Sequence, residues 1–127
     1  MTERGAVPHF VTTTTTGTIV RYADLWQRRA LVLAVLPPPG EAPEVAARLA
    51  RLAGRTRDIE ALNTACVTTS QPIPGLPQPS VLVADRWGEV YDARSGDCAA
   101  AYPEPDEILE WLQFIAVECP ECQGEAR

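Results

Sequence analysis

The sequence predicts a single α/β domain in which a mixed β-sheet is flanked by helices. Three observations carry that expectation. Ala30-Leu31-Val32-Leu33-Ala34-Val35-Leu36 is continuously apolar and stops at three prolines, the pattern of a strand buried on both faces of a parallel-type sheet. Behind it, Val45, Leu49 and Leu52 recur at helical spacing after Pro43, with Arg48, Arg51 and Arg55 off that face. Further on, Ser80-Val81-Leu82-Val83-Ala84 and Glu89-Val90-Tyr91-Asp92 flank Asp85-Arg86-Trp87-Gly88, whose glycine suits the left-handed position of a short hairpin turn.

The remaining elements follow in chain order. Residues 1–17, with threonine at every position from 12 to 16, show no helical period and read as an extended or mobile tail. Ile19-Val20 followed by Tyr22 marks a short strand, and Asp24-Leu25-Trp26 a turn. After the buried strand a helix is expected over 43–53. Gly54 is placed to end it, and a second helical segment covers 56–62. Ala65-Cys66-Val67-Thr68-Thr69 reads as a strand. Pro72, Pro74, Pro77 and Pro79 mark an irregular crossing into the hairpin. The last helix opens at Pro105 with Asp106 and Glu107 in its first turn, where acidic side chains complement the dipole. Its expected core face is Ile108, Leu109, Leu112, Ile115 and Ala116, with Trp111 at the edge. The domain is expected over 18–117, followed by a C-terminal tail over 118–127.

Bulk properties exclude several functions. A chain of 127 residues suits one domain with its own core. The net charge of −6 argues against a nucleic-acid surface, which needs a basic stripe to displace counterions from phosphates. All basic residues are Arg, which reads as a bias of the source rather than as chemistry. The longest apolar run is far below the ~20 residues that span a bilayer, so no membrane partner is expected. The N-terminus lacks a basic region leading into an apolar one, so no export is expected and a cytoplasmic setting fits best. The four cysteines then read as free thiols, a metal site or a redox pair before a disulfide framework.

The entry into the buried strand at Arg28-Arg29-Ala30-Leu31-Val32-Leu33, the hairpin opening at Gln78-Pro79-Ser80-Val81-Leu82-Val83, and the helix Pro105-Asp106-Glu107-Ile108-Leu109-Glu110-Trp111-Leu112 together resemble the redoxin, peroxiredoxin-related branch of the thioredoxin-like superfamily. The resemblance spans about residues 18–117 and is one of pattern and element order. It implies a thioredoxin-like fold and thiol redox chemistry. It also places Pro79 where that family carries a cis-proline facing the active site. The family keeps its nucleophile in the loop and first helical turn after the buried strand, where helix N-terminal amides stabilise a thiolate. Pro37-Pro38-Pro39-Gly40-Glu41-Ala42-Pro43-Glu44 stands there and holds no Cys, Ser or Thr. The usual peroxidase or thioredoxin activity is therefore expected to be absent.

Cys119-Pro120-Glu121-Cys122 is the one paired-thiol motif. Expected beyond the end of the last helix, it faces the negative end of a dipole and the carboxylates of Glu118, Glu121 and Glu125, which disfavour a thiolate. Three readings stand side by side. Cys119 and Cys122 form a redox pair; or they are half of a zinc knuckle that Cys98, or a second copy in an oligomer, completes to four ligands; or they are inert, with no cofactor. Cys66 reads as a small core residue and Cys98, in the Ser95-Gly96-Asp97 loop, as an exposed thiol. His9, the sole histidine, lies in the tail, leaving no base for a Ser-His or Cys-His arrangement. Gly40 stands alone, so no phosphate loop is present. Pro79, Ser80 and Trp87 are the binding candidates, Trp87 as an exposed aromatic at the hairpin tip for a protein partner.

Overall fold

The computed structural model describes the backbone of residues 5–126 and the side chains of residues 5–116. Its strands are β1 (Val11–Thr13), β2 (Ile19–Arg21), β3 (Ala30–Val35), β4 (Thr64–Thr69), β5 (Ser80–Ala84) and β6 (Val90–Ser95). The helices are α1 (Pro43–Ala53), α2 (Thr56–Glu60) and α3 (Pro105–Ala126), with short 3-10 turns at Tyr22–Asp24 and Ala99–Ala101. β1 and β2 form a separate antiparallel hairpin. The main sheet has the order β4-β3-β5-β6, with β3 parallel to β4 and antiparallel to β5, and β5 antiparallel to β6. This is the mixed sheet with flanking helices that the pattern predicts.

The continuous apolar run works because β3 is central and buried on both faces. Val32 and Ala34 meet Val45, Leu49, Leu52, Ile59, Ile108, Leu112 and Ile115 on the side of the three helices. Leu31, Leu33 and Val35 point the other way, onto Val7, Phe10, Tyr22, Ile73, Leu82 and Val90. Period-two alternation thus gives one strand two cores. Residues 5–17, expected as a tail, supply part of the second: Val7 and Phe10 are buried, and Val7 N donates to Gly88 O at 2.9 Å. Thr12 is buried too, its hydroxyl 2.9 Å from that of Thr69. No local period announces this segment because its partners lie 57 residues away in β4, for Thr12 and Thr69, and farther still in the hairpin.

α1 has the expected bounds, opening at Pro43 and closing at Gly54, which adopts right-handed rather than left-handed backbone (φ −73°). On α3, Ile108, Leu112 and Ile115 are buried as expected, whereas Leu109 is half-buried and Ala116 exposed. The helix runs on to Ala126, so residues 118–126, expected as a tail, continue it. The side chains of Cys119 and Cys122 lie outside the described residues. The hairpin tip is as expected, with Gly88 at φ +84°. Among the described residues no helix is long and apolar enough to cross a membrane.

Candidate functional site

A cleft forms at the C-terminal ends of β3 and β4. β3 ends at Val35, and the chain crosses Leu36, three prolines and Gly40 before entering α1. Gly40 is at φ +84° and Ala42, at the helix N-cap, at φ +43°. Glu41 N closes the turn onto Pro38 O at 3.0 Å. Ala42 offers no side-chain cap, and Pro43 at the first helical position has no N–H, so the helix start presents fewer donors than usual.

Across from this loop stands the start of β5, where the Gln78-Pro79 peptide is cis. Gln78 holds the arrangement together. Its Nε2 donates to Leu36 O at 2.9 Å and to Ser70 O at 3.0 Å, tying the ends of β3 and β4 to the approach to β5. Tyr102 performs the same service from the other side. Buried at 2 % exposure, its hydroxyl donates to Gly96 O at 2.6 Å and lies 3.3 Å from Pro79 O. Arg48 Nη2 in turn donates to Tyr102 O at 2.8 Å and Nη1 pairs with Glu104 at 3.0 Å, so α1, the Tyr102 turn and the start of α3 form one support.

Against the proline loop lies a cavity of about 370 Å³, lined chiefly by Pro37, Pro38, Pro39, Glu41, Ala46 and Ser70; Gln78, Pro79 and Tyr102 do not line it. It contains no thiol and one hydroxyl, that of Ser70. His9 is remote, packed edge-on against Tyr22 and Trp26 with ring centroids 5.3 and 5.6 Å away. A nucleophile with its base is therefore not assembled here; a rigid, proline-walled surface is.

The sequence candidates do not converge on one place. Pro79, expected as a binding residue, is buried and does not line the cavity, its carbonyl 3.3 Å from the Tyr102 hydroxyl; Ser80 is likewise buried as the first residue of β5, beside a 70 Å³ hollow lined also by Leu76, Pro77 and Ser95. Trp87 is 46 % exposed as expected, but it sits at the far end of β5, about 17 Å of strand away. There it belongs to another cluster: Trp26 Nε1 donates to Trp87 O at 3.0 Å and the Arg86 guanidinium lies 5.2 Å from the Trp87 ring. Cys98 is exposed in the loop before Tyr102 and does not line the cleft. Cys66 is half-buried at mid-strand in β4, its thiol 3.8 Å from Thr56 Oγ1 and 3.9 Å from Leu52 O. Burial pushes that thiol's pKa up, which the hydrogen bond from Thr56 only partly offsets. Among the described residues no group of three or more His, Cys, Asp and Glu is placed to hold a metal. The tying roles of Gln78 and Tyr102 are not visible in the sequence, since their partners are carbonyls of residues flanking other elements.

No protein-family model and no curated protein matches the sequence. Solved structures do match in shape. The mitochondrial 2-Cys peroxiredoxin from Plasmodium falciparum superposes with a TM-score of 0.61 at 10% identity, over 90% of this chain and 94% of that one. Peroxidoxin BcpB from Mycobacterium tuberculosis gives 0.55 at 16% identity, over 91% and 98%. A thioredoxin-family thiol:disulfide interchange protein from Chlorobium tepidum TLS gives 0.57 at 14% identity, over 88% and 98%. The chain has the thioredoxin-like fold that these peroxiredoxins and the thiol:disulfide interchange protein share.

Proposed function

We propose that this chain is a thioredoxin-fold protein of thiol redox type that meets a partner protein and in which Cys119 and Cys122 carry the chemistry. The observation supporting this reading is the loop after β3, which lines the cavity yet holds no Cys, Ser or Thr over residues 37–44, so that any thiol chemistry must come from elsewhere in the chain. In the reaction, the thiolate of one cysteine attacks a partner disulfide and expels one partner thiolate, giving a mixed disulfide. The second cysteine displaces the remaining partner sulfur. Two electrons and two protons pass to the partner, and a disulfide stays on this chain. The setting is a reducing cytoplasm, which would regenerate the dithiol.

A second reading has its own observation. Trp26 and Trp87 are 40 % and 46 % exposed side by side, as expected of a contact surface on a non-enzymatic accessory subunit. Cys119 and Cys122 then stay free or supply two of four zinc ligands, with Cys98 or a second copy completing the set.

Mass spectrometry of the native protein, before and after reductant, separates these. A two-proton difference that vanishes in the Cys119→Ser, Cys122→Ser variant supports the redox pair; a zinc-sized increment supports the knuckle; neither leaves the accessory role. Peroxide consumption with a thiol reductant is expected to be absent. Turnover that persists in the double variant would contradict the emptied cleft.

A further inference from the structure

The outer edge of β4 opens onto a second cavity, of about 420 Å³, remote from the proline cleft. Its walls are the Thr14-to-Thr18 loop of the β1–β2 hairpin on one side and Thr56 and Glu60 of α2 on the other; Cys66, Val67 and Thr68 form the floor. Among the described residues β4 is an edge strand, with β3 as its one ladder partner. The ladder shows which of its peptide groups face inward. Ala30 N donates to Asn63 O at 3.3 Å and Leu36 N to Thr69 O at 2.8 Å, so by strand alternation Ala65 and Val67 also turn to β3. Cys66 and Thr68 turn outward.

One outward group is already used. Thr15 N donates to Thr68 O at 2.9 Å, a strand-type bond from the protein's own hairpin that caps the upper end of the edge. Among the described residues nothing meets Cys66 N, Cys66 O or Thr68 N. An edge strand with unmet donors and acceptors is a template for another strand. Here it lies at the bottom of a trough walled by the hairpin loop and α2. We propose that this trough is a strand-addition site for an extended peptide segment of a partner protein, paired to Cys66 and Thr68 of β4.

The lining defines the partner's chemistry. Thr14, Thr15, Thr16, Thr18 and Thr56 set hydroxyls among the apolar Val20, Leu25 and Ala53 in the walls, suiting small or β-branched side chains. Arg29 and Glu60, both exposed at the rim and without ion-pair partners among the described residues, suit a segment flanked by one acidic and one basic residue. A neutral strand between opposite charges is the occupant that matches both.

The probe is a library of blocked heptapeptides, Glu, five residues drawn from Val, Thr and Ser, then Lys, titrated into the 15N-labelled full chain. The expected result is saturable shifts and slowed solvent exchange at the amides of Cys66 and Thr68, with those of Ala65 and Val67 keeping their exchange rates. Cys66→Pro removes an outward N–H and leaves the β3 ladder intact; it should weaken binding about 5-fold or more. If that variant fails to fold by circular dichroism, Thr56→Trp, which fills one wall, replaces it with the same expectation. No shift at Cys66 and Thr68 at millimolar peptide overturns the proposal. So does unchanged affinity in a folded variant, or a dimer in solution whose Cys66 and Thr68 amides are already protected, since a second copy would then be the occupant.

Discussion

Removing the Tyr102 hydroxyl tests whether the cleft is held as the structure indicates. The Tyr102→Phe variant keeps the ring among the helix-side core residues and leaves the Arg48 bond to Tyr102 O untouched, because that bond uses the main chain. What is lost is the donor to Gly96 O at 2.6 Å and its weaker share with Pro79 O at 3.3 Å. A buried carbonyl left without its donor costs about 1–3 kcal/mol. Part of Gly96 O can turn to solvent in its loop, so a loss of about 1–2 kcal/mol is expected. For a domain of this size that lowers Tm by roughly 3–8 °C. Urea unfolding followed by far-UV circular dichroism should show a lower midpoint with unchanged slope. A change below about 0.3 kcal/mol would refute the reasoning, for it would mean the 96–102 loop and Pro79 are held by packing alone.

Three further outcomes follow from the same geometry. Gly88→Ala would put a Cβ 3.1 Å from the Tyr22 hydroxyl and 3.3 Å from Trp26 Nε1 at φ +84°; a loss of about 1–3 kcal/mol and an altered tryptophan emission spectrum are expected. Iodoacetamide at pH 8, followed by peptide mapping, should modify exposed Cys98 before half-buried Cys66, whose thiol pKa burial raises; the reverse order would show that β4 opens readily. Burial raises the pKa of Tyr22, reinforced by Asp85, and that of Tyr102, reinforced by Asp97. The folded state thus holds these protons more tightly than the unfolded one. The associated stability is present below the ordinary tyrosine value of 10.0 and is lost as pH rises beyond it, which chemical denaturation between pH 8 and 11 would read as a falling midpoint, less steep in Tyr102→Phe.

Much of the cleft could be read in the sequence. The loop of prolines after β3 and the absence of a nucleophile in it are local facts, visible in the order of residues and in the resemblance to redoxins. The tying roles of Gln78 and Tyr102 were not legible, because a side-chain hydrogen bond to a carbonyl flanking another element leaves no periodic trace. Trp87 was recognised as exposed yet grouped with Pro79. The length of β5 separates them, and strand length becomes a distance only once direction in the sheet is known.

By itself, the order of residues determined the elements and the sides of β3: apolar continuity, helical spacing after Pro43 and the Asp85-to-Gly88 turn are set by interactions within a few residues. Tertiary structure alone decided that residues 5–17 cover the second face of the sheet, that Thr15 caps the edge of β4, and that Cys66 and Thr68 open onto a trough. The reason is chain separation. A strand's alternation says which side chains share a face, but which peptide groups remain unpaired depends on neighbours that the chain brings back from fifty or more residues away.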